Sequence, residues 1–268
     1  MSHSSAARTN LTSQCVTIQL YNILGEGHFR VAFAGTYNGG TRNSQEAVCK
    51  CFKQKFVVLE SEFFASDFRA TDRAIKYAEE WNRFCQSDKT ILITRGDIHH
   101  IGGRKYLIEP LIRNFTKFTS NNGWINPNEG WCGEAMEAFT HYTYHRSSGM
   151  MIVCDLQGRY RDGRRFINGK SRFELTDIAV CSRTRSYGPT DLGEKGIDSF
   201  FHSHVCNSFC HADGYWSRPN RSYAWFPQSS STSMMRSSQS HLLALTNRST
   251  FQPGFEGILE EDSEDYVD

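Results

Sequence analysis

The sequence predicts an α+β protein, because segments with strand-like patterns come early in the chain and helix-like segments come later. Alternating β-branched and aromatic residues mark the early strands, and apolar residues at helical spacing mark the helices. The chain has 268 residues, of which 38% are hydrophobic and 13% aromatic. Since a domain usually takes about 100–200 residues, we expect one domain with a sizeable core and room for two lobes.

The early strands follow residues 1–15, which we expect to form a flexible N-terminal arm. A strand-like pattern begins at Val16, and a clearer strand covers 31–37. The sequence Asn-Gly-Gly at 38–40 follows directly and is a typical hairpin signal. A further strand over 47–52 would be the partner in that hairpin.

A long amphipathic helix is predicted next, with Ser66 and Asp67 as its N-cap residues. Strands are expected over 90–94 and 106–109. Apolar residues recur in the helix at spacings of three to four: Ala74, Ile75, Ala78, Trp81 and Cys85.

The later part of the chain contains two more predicted helices, over 134–144 and 194–206. Between them, a short apolar strand over 150–154 leads into an aspartate. Residues 219–268 are rich in serine and then in acidic residues, with few apolar side chains. We therefore expect this tail to be largely disordered.

Composition excludes some classes of function. The formal net charge is only +1, which argues against a nucleic-acid partner, whose binding depends on dense Lys and Arg. No apolar run approaches the roughly 20 residues of a membrane span, and the start of the chain lacks the apolar stretch of a signal peptide. We expect a cytoplasmic protein with no membrane partner. The 9 cysteines show no repeating spacing, so reduced thiols are expected, with metal binding as the main alternative.

A glycine-containing segment, Gly25-Glu26-Gly27-His28-Phe29-Arg30, precedes the 31–37 strand. Glycines let backbone amides approach a phosphate group closely, although the same pattern also fits an ordinary turn. Lys50 lies in the following strand, and a glycine loop followed by a strand lysine is the arrangement that covers ATP phosphates in kinases. The alternative for Lys50 is a solvated strand lysine.

Two aspartates follow apolar strands. Asp155 ends the 150–154 strand and opens the motif Asp155-Leu156-Gln157-Gly158, and Asp177 ends a similar apolar run. Carboxylate and amide oxygens are preferred ligands of Mg²⁺, so these two aspartates and Gln157 form a candidate magnesium site. A pair of helix- or turn-capping aspartates is the alternative.

A third motif, His204-Val205-Cys206 followed by Cys210, offers three ligands of the kind that zinc prefers. A structural zinc site usually has four ligands, and His141 is the best candidate for the fourth, with His202 and His211 as competitors. The alternative is a set of core cysteines beside a hydrogen-bonded histidine.

The sequences His-Arg-Asp, Asp-Phe-Gly and Ala-Pro-Glu are all absent, which excludes a conventional protein kinase. The motifs above nevertheless occur in the order found in the alpha-kinase family, and the chain resembles that family over roughly residues 20–215. The matching segments are 25–30, 47–50, 108–110, 117–123, 138–144, 154–158, 175–177, 191–196 and 204–210.

The resemblance implies a two-lobed fold distantly like that of classical kinases, with an ATP-binding N-lobe over 16–112 and a zinc-stabilised catalytic C-lobe over 113–218. Glu109 would lie at the hinge between the lobes, with its backbone meeting the adenine. The residues expected to bind ATP are Gly25, Gly27, Arg30, Lys50 and Glu109.

The resemblance also implies transfer of the ATP γ-phosphoryl group to Ser or Thr hydroxyls of proteins. Asp155 would orient or deprotonate the acceptor hydroxyl, with Lys117 in the same catalytic set. Gln157 and Asp177 would hold Mg²⁺ or Mn²⁺. The structural Zn²⁺ would be held by His141, His204, Cys206 and Cys210. A catalytically inactive, zinc-stabilised binding module of the same fold is the alternative.

Some features depart from the family pattern. Ile178 stands where a proline usually follows the second aspartate, and Asn114 stands where a glycine is common. The late glycine loop over 188–196 has looser spacing. A basic insert over 159–174 separates the two aspartates, and Asn-Gly at 168–169 predicts that it forms a hairpin. Its charge fits either a solvated ribbon or a basic grip on an acidic substrate.

Overall fold

The computed structural model describes residues 16–84, 89–163, 171–210 and 216–235. The predicted arm over 1–15 lies outside these residues. The helices are α1 (Glu60–Phe84), α2 (Gly130–Arg146) and α3 (Gly193–Ser203). The strands are β1 (Val16–Glu26), β2 (Arg30–Tyr37), β3 (Glu46–Phe52), β4 (Lys89–Ile93), β5 (Asp97–Ile101), β6 (Arg104–Pro110), β7 (Thr116–Lys117), β8 (Met151–Cys154), β9 (Gln157–Arg161), β10 (Ser171–Thr176) and β11 (Ala179–Ser182).

A five-stranded antiparallel sheet, in the order β1-β2-β3-β6-β5, forms the first part of the fold. The predicted hairpin is present as the β2–β3 pair, in which Ala32 faces Lys50 across the ladder. One face of this sheet buries Phe33, Tyr37 and Ile108 in a small cluster. Strand β5 was not predicted.

Helix α1 begins earlier than predicted. A 3₁₀ segment over Gln54–Leu59 leads directly into it, and Phe63 and Phe64 extend its buried face upstream. Ser66 and Asp67 lie inside the helix, so the N-cap prediction was wrong: the Ser66 hydroxyl donates to the Glu62 carbonyl instead, at 2.9 Å. The local cap signal was overridden by aromatic residues that bury more apolar surface.

The second part of the fold contains a four-stranded sheet in the order β4-β10-β9-β7 and the β11–β8 pair. Strand β4 runs parallel to β10. It therefore belongs with the second part, although the expected N-lobe of 16–112 includes it. Helix α1 also contributes to this core, where Trp81 packs edge-on against Phe139 and Tyr142 of α2. Such aromatic pairs add about 0.5–1.5 kcal/mol each beyond the area they bury.

The insert between the aspartates forms the predicted hairpin, because β9 and β10 pair antiparallel. Its residues 164–170 lie outside the described part of the chain. Three arginines of the insert do not face outward as a free basic grip, since Arg159, Arg161 and Arg172 all donate to the buried Glu174 carboxylate. This internal pairing reduces the positive charge that the basic-grip interpretation needs.

The segment that follows the C-lobe differs from the expected disorder. Residues 219–235 have a defined path without regular secondary structure, and Phe226 and Met235 pack against the cluster around α3. The Trp225 indole donates to Asp198 at 3.1 Å, and the Met235 amide donates to the Pro189 carbonyl at 2.7 Å. The packing of these few apolar side chains helps to fix the path of the segment. The rest of the tail, 236–268, lies outside the described residues. Among the described helices, none has both the length and the apolar character needed to cross a membrane.

Candidate active site

The two predicted aspartates occupy equivalent positions, each directly after a strand. Asp155 follows β8 and Asp177 follows β10, and both have left-handed backbone conformations, with φ of 58° and 53°. This conformation is uncommon for residues other than glycine, although aspartate adopts it more readily than most. Strain of this kind is concentrated at functional sites, where the surrounding fold holds it in place.

Gly158 has a related structural role in the same motif. Its φ is +151°, and a Cβ atom at this position would overlap the Glu174 carbonyl oxygen on the paired strand. Only glycine therefore lets β9 approach β10 here. The resulting register places Gln157 opposite Thr176, beside Asp177, and the Gln157 side-chain amide donates to the Asp177 carbonyl at 3.0 Å.

Lys50 connects the two parts of the fold. Its ammonium lies 2.5 Å from Oε2 of Glu109 on β6 and 2.5 Å from Oδ1 of Asp177. The other Glu109 oxygen accepts a hydrogen bond from the Thr176 hydroxyl at 2.8 Å. Glu109 was predicted as a hinge residue that uses its backbone. The structure shows that its buried side chain anchors Lys50.

The charges of this trio are set by burial and by their mutual attraction. Burial lowers the pKa of Lys50, but the Asp177 and Glu109 carboxylates outweigh it and raise the pKa above its ordinary value. Burial raises the pKa of Asp177, and the adjacent Lys50 ammonium more than reverses this and lowers it. For Glu109, burial dominates over Lys50 and the pKa is raised.

A cavity of about 330 Å³ opens beside this trio, in the size range of small-molecule sites. Gly25 and Gly27 line it together with Lys50 and Asp177, so the glycine loop, the lysine and an aspartate surround one space. Arg30 also lines the cavity, but its guanidinium pairs with Asp67 of α1 at 2.6 Å.

Asp155 is held in contact with Lys117. The Lys117 ammonium is 2.7 Å from Oδ1 of Asp155, a residue that is only 3% exposed. Burial raises the pKa of Asp155, and Lys117 offsets this only in part. Strand β7 positions Lys117 because it pairs with β9 opposite Gln157. An adjoining cavity is lined by Asp155, Gln157 and Asp177, so the structure brings three of the four predicted catalytic residues to one cleft, and the fourth, Lys117, contacts Asp155.

The donor atoms near Gln157 and Asp177 fit a hard divalent cation. Because the Gln157 amide nitrogen donates to the Asp177 carbonyl, the amide oxygen of Gln157 is its remaining polar atom. An amide oxygen and a carboxylate are ligands that Mg²⁺ accepts. In this structure the Asp177 carboxylate is paired with Lys50.

The four predicted zinc ligands also converge, with one ligand atom from each lying within 4.8 Å of the others. His204 Nε2 is 3.3 Å from His141 Nδ1, Cys206 Sγ is 3.7 Å from His141 Nδ1, and Cys210 Sγ is 3.6 Å from His204 Nε2. Tetrahedral zinc has bonds of about 2.0–2.1 Å to nitrogen and about 2.3 Å to sulfur. These bond lengths imply about 3.3–3.4 Å between two ligand nitrogens and about 3.5–3.6 Å between a ligand nitrogen and a ligand sulfur. The observed separations fit a tetrahedral zinc ion.

The outer ring nitrogens of both histidines have partners of the kind found around zinc sites. His141 Nε2 lies 3.1 Å from the Ser217 carbonyl, and His204 Nδ1 lies 3.0 Å from Glu137 Oε2. These contacts orient the remaining nitrogens toward the cluster. Helix α3 ends at Ser203, before the predicted 206, and the turns that follow allow Cys206 and Cys210 to converge. Of the competing ligands, His202 is exposed, and His211 lies outside the described residues.

Several residues of the cleft were not predicted. The consecutive buried side chains of Ser120, Asn121 and Asn122 bind the 229–235 segment, and the Thr232 hydroxyl donates to Asp155 Oδ2 at 2.7 Å. The asparagines belong to a segment that matches the family pattern, but no local signal ties them to a segment more than 100 residues away. Glu137 was likewise missed, since a single helical glutamate carries no motif.

Comparison with known proteins places this site in a family. The model of the alpha-kinase family matches residues 25–210. An alpha-protein kinase, vwkA, of Dictyostelium discoideum is 28% identical over 230 residues, covering 77% of this chain and 33% of that protein. An elongation factor 2 kinase of Caenorhabditis elegans is 27% identical over 215 residues, covering 77% of this chain and 26% of that protein. The chain thus spans about a third or less of the length of these relatives.

Solved structures agree on the fold. An alpha kinase of Entamoeba histolytica superposes with a TM-score of 0.59 and 23% identity, covering 82% of this chain and 84% of that one. The alpha-kinase domain of myosin heavy chain kinase A in complex with ADP superposes with a TM-score of 0.59 and 21% identity, covering 73% of this chain and 86% of that one. Because the family model spans most of the folded region, including the glycine loop, both aspartates and the His/Cys cluster, the chain belongs to the alpha-kinase family.

Proposed function

We propose that this chain is an active protein kinase that transfers the ATP γ-phosphoryl group to Ser and Thr hydroxyls of proteins. The observation that carries the proposal is a pair of adjoining cavities that share Asp177. Lys50 and the glycine loop line the first, Asp155 and Gln157 line the second, and Lys117 contacts Asp155. Phosphoryl transfer depends mainly on positioning and charge neutralisation, and this arrangement supplies both.

Each side chain has a role that follows from its contacts. Lys50, held by Glu109, is available to bind phosphate oxygens once Asp177 takes another partner. Asp155 is positioned to take the proton of the attacking hydroxyl, and its raised pKa makes it a better base than an ordinary aspartate. The Lys117 ammonium neutralises negative charge beside Asp155. Gln157 and Asp177 would hold Mg²⁺, which would neutralise charge on the phosphates.

The preference for Ser and Thr hydroxyls is supported by the hydroxyl found at Asp155. It belongs to a threonine, Thr232, whose Oγ1 lies 2.7 Å from Asp155 Oδ2 and 3.0 Å from the Lys117 ammonium. Asp155 is buried and lines the cleft. A short aliphatic hydroxyl therefore reaches it from a peptide backbone that is bound outside.

A structural zinc ion is part of the same proposal. His141, His204, Cys206 and Cys210 would hold it, and it would join α2 to the turns after α3. Burial raises the pKa of the Cys210 thiol to about 12 and lowers the pKa of His141 to about 4. A bound cation would supply the charge that this buried thiol needs to ionise.

Phosphate transfer to peptides tests the proposal. The purified chain is incubated with ATP, Mg²⁺ and three peptides that differ only in carrying Ser, Thr or Tyr. We expect label on the Ser and Thr peptides, and a loss of at least about 100-fold in Asp155→Asn, which keeps the size of the side chain. If none of the three peptides is phosphorylated although the protein is folded, the result would instead favour the inactive binding module.

A further inference from the structure

A loop over 119–125 is anchored to the motif that carries the catalytic aspartate. The Thr119 hydroxyl accepts from the Leu156 amide at 3.0 Å, and the Phe118 amide donates to the Leu156 carbonyl at 2.8 Å. Leu156 directly follows Asp155 in the chain. These contacts therefore fix the position of the loop relative to the catalytic carboxylate.

Three consecutive polar residues of this loop are buried. Ser120, Asn121 and Asn122 are each at most 1% exposed. Burying a polar group without a hydrogen-bond partner is costly, so the partners of these side chains show what the loop is built to bind. All three donate hydrogen bonds to backbone carbonyls of the 229–235 segment. The loop thus forms a binding site for a polypeptide backbone.

Asn121 binds both polar backbone groups of one residue. Its side-chain amide donates to the Ser233 carbonyl at 2.7 Å, and its side-chain oxygen accepts from the Ser233 amide at 2.9 Å. The same amide nitrogen also donates to the Thr190 carbonyl at 2.8 Å. Because two carbonyls occupy the nitrogen, the side-chain oxygen is left facing a position that needs an N–H donor.

The other contacts of the loop fall on alternate residues of the segment. The Ser231 carbonyl accepts from the Ser120 hydroxyl at 2.7 Å and from the Asn122 amide at 3.2 Å. Asn122 also donates to the Ser229 carbonyl at 3.1 Å. In an extended chain, the backbone groups of alternate residues point to the same side, whereas a helix uses its N–H groups internally. The site therefore fits an extended segment.

The residue between positions 231 and 233 presents its side chain to the catalytic groups. The Thr232 hydroxyl donates to Asp155 Oδ2 at 2.7 Å and accepts from the Lys117 ammonium at 3.0 Å. Contact between a hydroxyl and its base is the geometry that activated attack requires. The backbone contacts on either side thus define the register in which a hydroxyl reaches Asp155.

We propose that Ser120, Asn121 and Asn122 bind the backbone of protein substrates and select extended segments in which the residue after the acceptor has an N–H group. The proposal rests on the kinase function proposed above and defines its substrate class. A substrate takes the place that the 229–235 segment occupies. Proline has no N–H group, so a Ser or Thr followed by proline is a poor acceptor.

A set of three peptides tests the N–H requirement on the wild-type chain. The peptides share one sequence with a Thr acceptor and differ only in the next residue, which is alanine, lactic acid or proline. Lactic acid keeps the methyl side chain of alanine but replaces the N–H by an ester oxygen. Since the Asn121 oxygen would lose its partner, we expect kcat/KM to fall by about 10- to 100-fold for lactic acid and for proline. Equal kcat/KM for the alanine and lactic acid peptides would overturn the proposal.

Asn121→Ala tests whether this residue causes the discrimination. The variant should phosphorylate the alanine peptide more slowly and treat the alanine and lactic acid peptides alike, with an unchanged KM for ATP. If Asn121 only supported the fold, both peptides would lose rate and their ratio would stay as in the wild type, which would contradict the proposal. The matched control is Asn128→Ala, at an exposed position, which should keep the wild-type ratio. The wild-type comparison remains decisive whether or not Asn121→Ala folds.

The same peptide set separates this proposal from the kinase function. Phosphorylation of all three peptides with equal efficiency would refute the backbone selection and leave the kinase function standing. No phosphorylation of any peptide by the folded wild-type chain would refute the kinase function itself.

Discussion

Lys50 and Asp177 form an ion pair at 2.5 Å although they are 127 positions apart in the chain. The pair links the five-stranded sheet to the end of the β9–β10 hairpin. A nucleotide phosphate that takes Lys50, together with a cation that takes Asp177, would have to separate them. The ion pair thus keeps both binding groups charged and in place before the nucleotide arrives.

Glu109→Gln tests how Lys50 is held. Glutamine can still accept the Thr176 hydrogen bond, but it loses the charge that attracts the ammonium. Since a hydrogen bond to a charged group contributes about 1.5–3 kcal/mol, we expect kcat/KM for ATP to fall by about 10- to 100-fold. Steady-state kinetics at varied ATP measure this. The matched control is Glu46→Gln on β3, whose partner Arg113 is exposed, and an equal loss in the control would contradict the role of Glu109.

The pH dependence of transfer reports on Asp155. Its carboxylate must be ionised to accept a proton, and burial raises its pKa above that of an ordinary aspartate. Activity should therefore fall as pH drops through this raised pKa. Lys117→Met removes the cation that holds the pKa down, so the acidic limb of kcat/KM should move to higher pH, in addition to any loss of rate. Lys76→Met, at an exposed position on α1, should leave the limb unchanged. A limb that stays in place in Lys117→Met would show that Asp155 is not the titrating base.

Local sequence signals predicted the hairpin well. They failed where contacts between residues far apart in the chain determine the start of a helix or the pairing of a strand. Asn-Gly-Gly at 38–40 located the β2–β3 hairpin, because turn chemistry is a property of a few adjacent residues. The start of α1 was wrong, since burial of Phe63 and Phe64 outweighs the caps that Ser66 and Asp67 would offer. The parallel pairing of β4 with β10, which lies about 80 residues further along the chain, has no local signal in the sequence.

In the candidate site, too, the residues of local motifs were predicted from the sequence, and the contacts between distant residues were not. Asp155, Gln157 and Asp177 follow from a strand-end motif and its resemblance to a family. Two contacts could not be predicted from sequence: the Glu109 carboxylate on Lys50, and the Thr232 hydroxyl on Asp155. Both join residues 59 or more positions apart, and neither has a spacing rule. A serine-rich tail has the composition of a disordered segment. The packing of Phe226 and Met235, together with hydrogen bonds from Ser120, Asn121 and Asn122, gives residues 219–235 a defined path.

Glu137→Gln tests the zinc site without touching a ligand. The Glu137 carboxylate orients His204 from outside the cluster, and such partners typically contribute about 10- to 100-fold to metal affinity. Competition with a chromophoric chelator should show weaker zinc binding by about that factor, and elemental analysis of the untreated protein should give one zinc per chain. Glu134→Gln, an exposed position one turn earlier on α2, is the matched control. Equal zinc affinity in the two variants would argue against the proposed ligand geometry.

The insert hairpin gives a stability prediction with a defined pH dependence. Glu174 is 8% exposed, and its carboxylate accepts hydrogen bonds from Arg159, Arg161 and Arg172. Burial raises the pKa of Glu174, but the arginines outweigh it and lower the pKa below its ordinary value. A carboxylate whose pKa is lowered by folding stabilises the protein above its ordinary pKa, and this contribution disappears as pH falls through the lowered value.

Glu174→Gln should therefore reduce the free energy of unfolding by at most about 1.5–3 kcal/mol at neutral pH, the range for a hydrogen bond to a charged group. The arginines are partly exposed, so water compensates for some of the loss. Urea denaturation of both proteins between pH 7 and pH 3 measures the difference, which should stay constant near neutrality and shrink below about pH 4, where glutamate protonates. Glu79→Gln, at an exposed position on α1, should change little at any pH. A difference for Glu174→Gln that persists undiminished at pH 3 would show that the amide disturbs packing, and that the three arginine contacts do not stabilise the hairpin through charge.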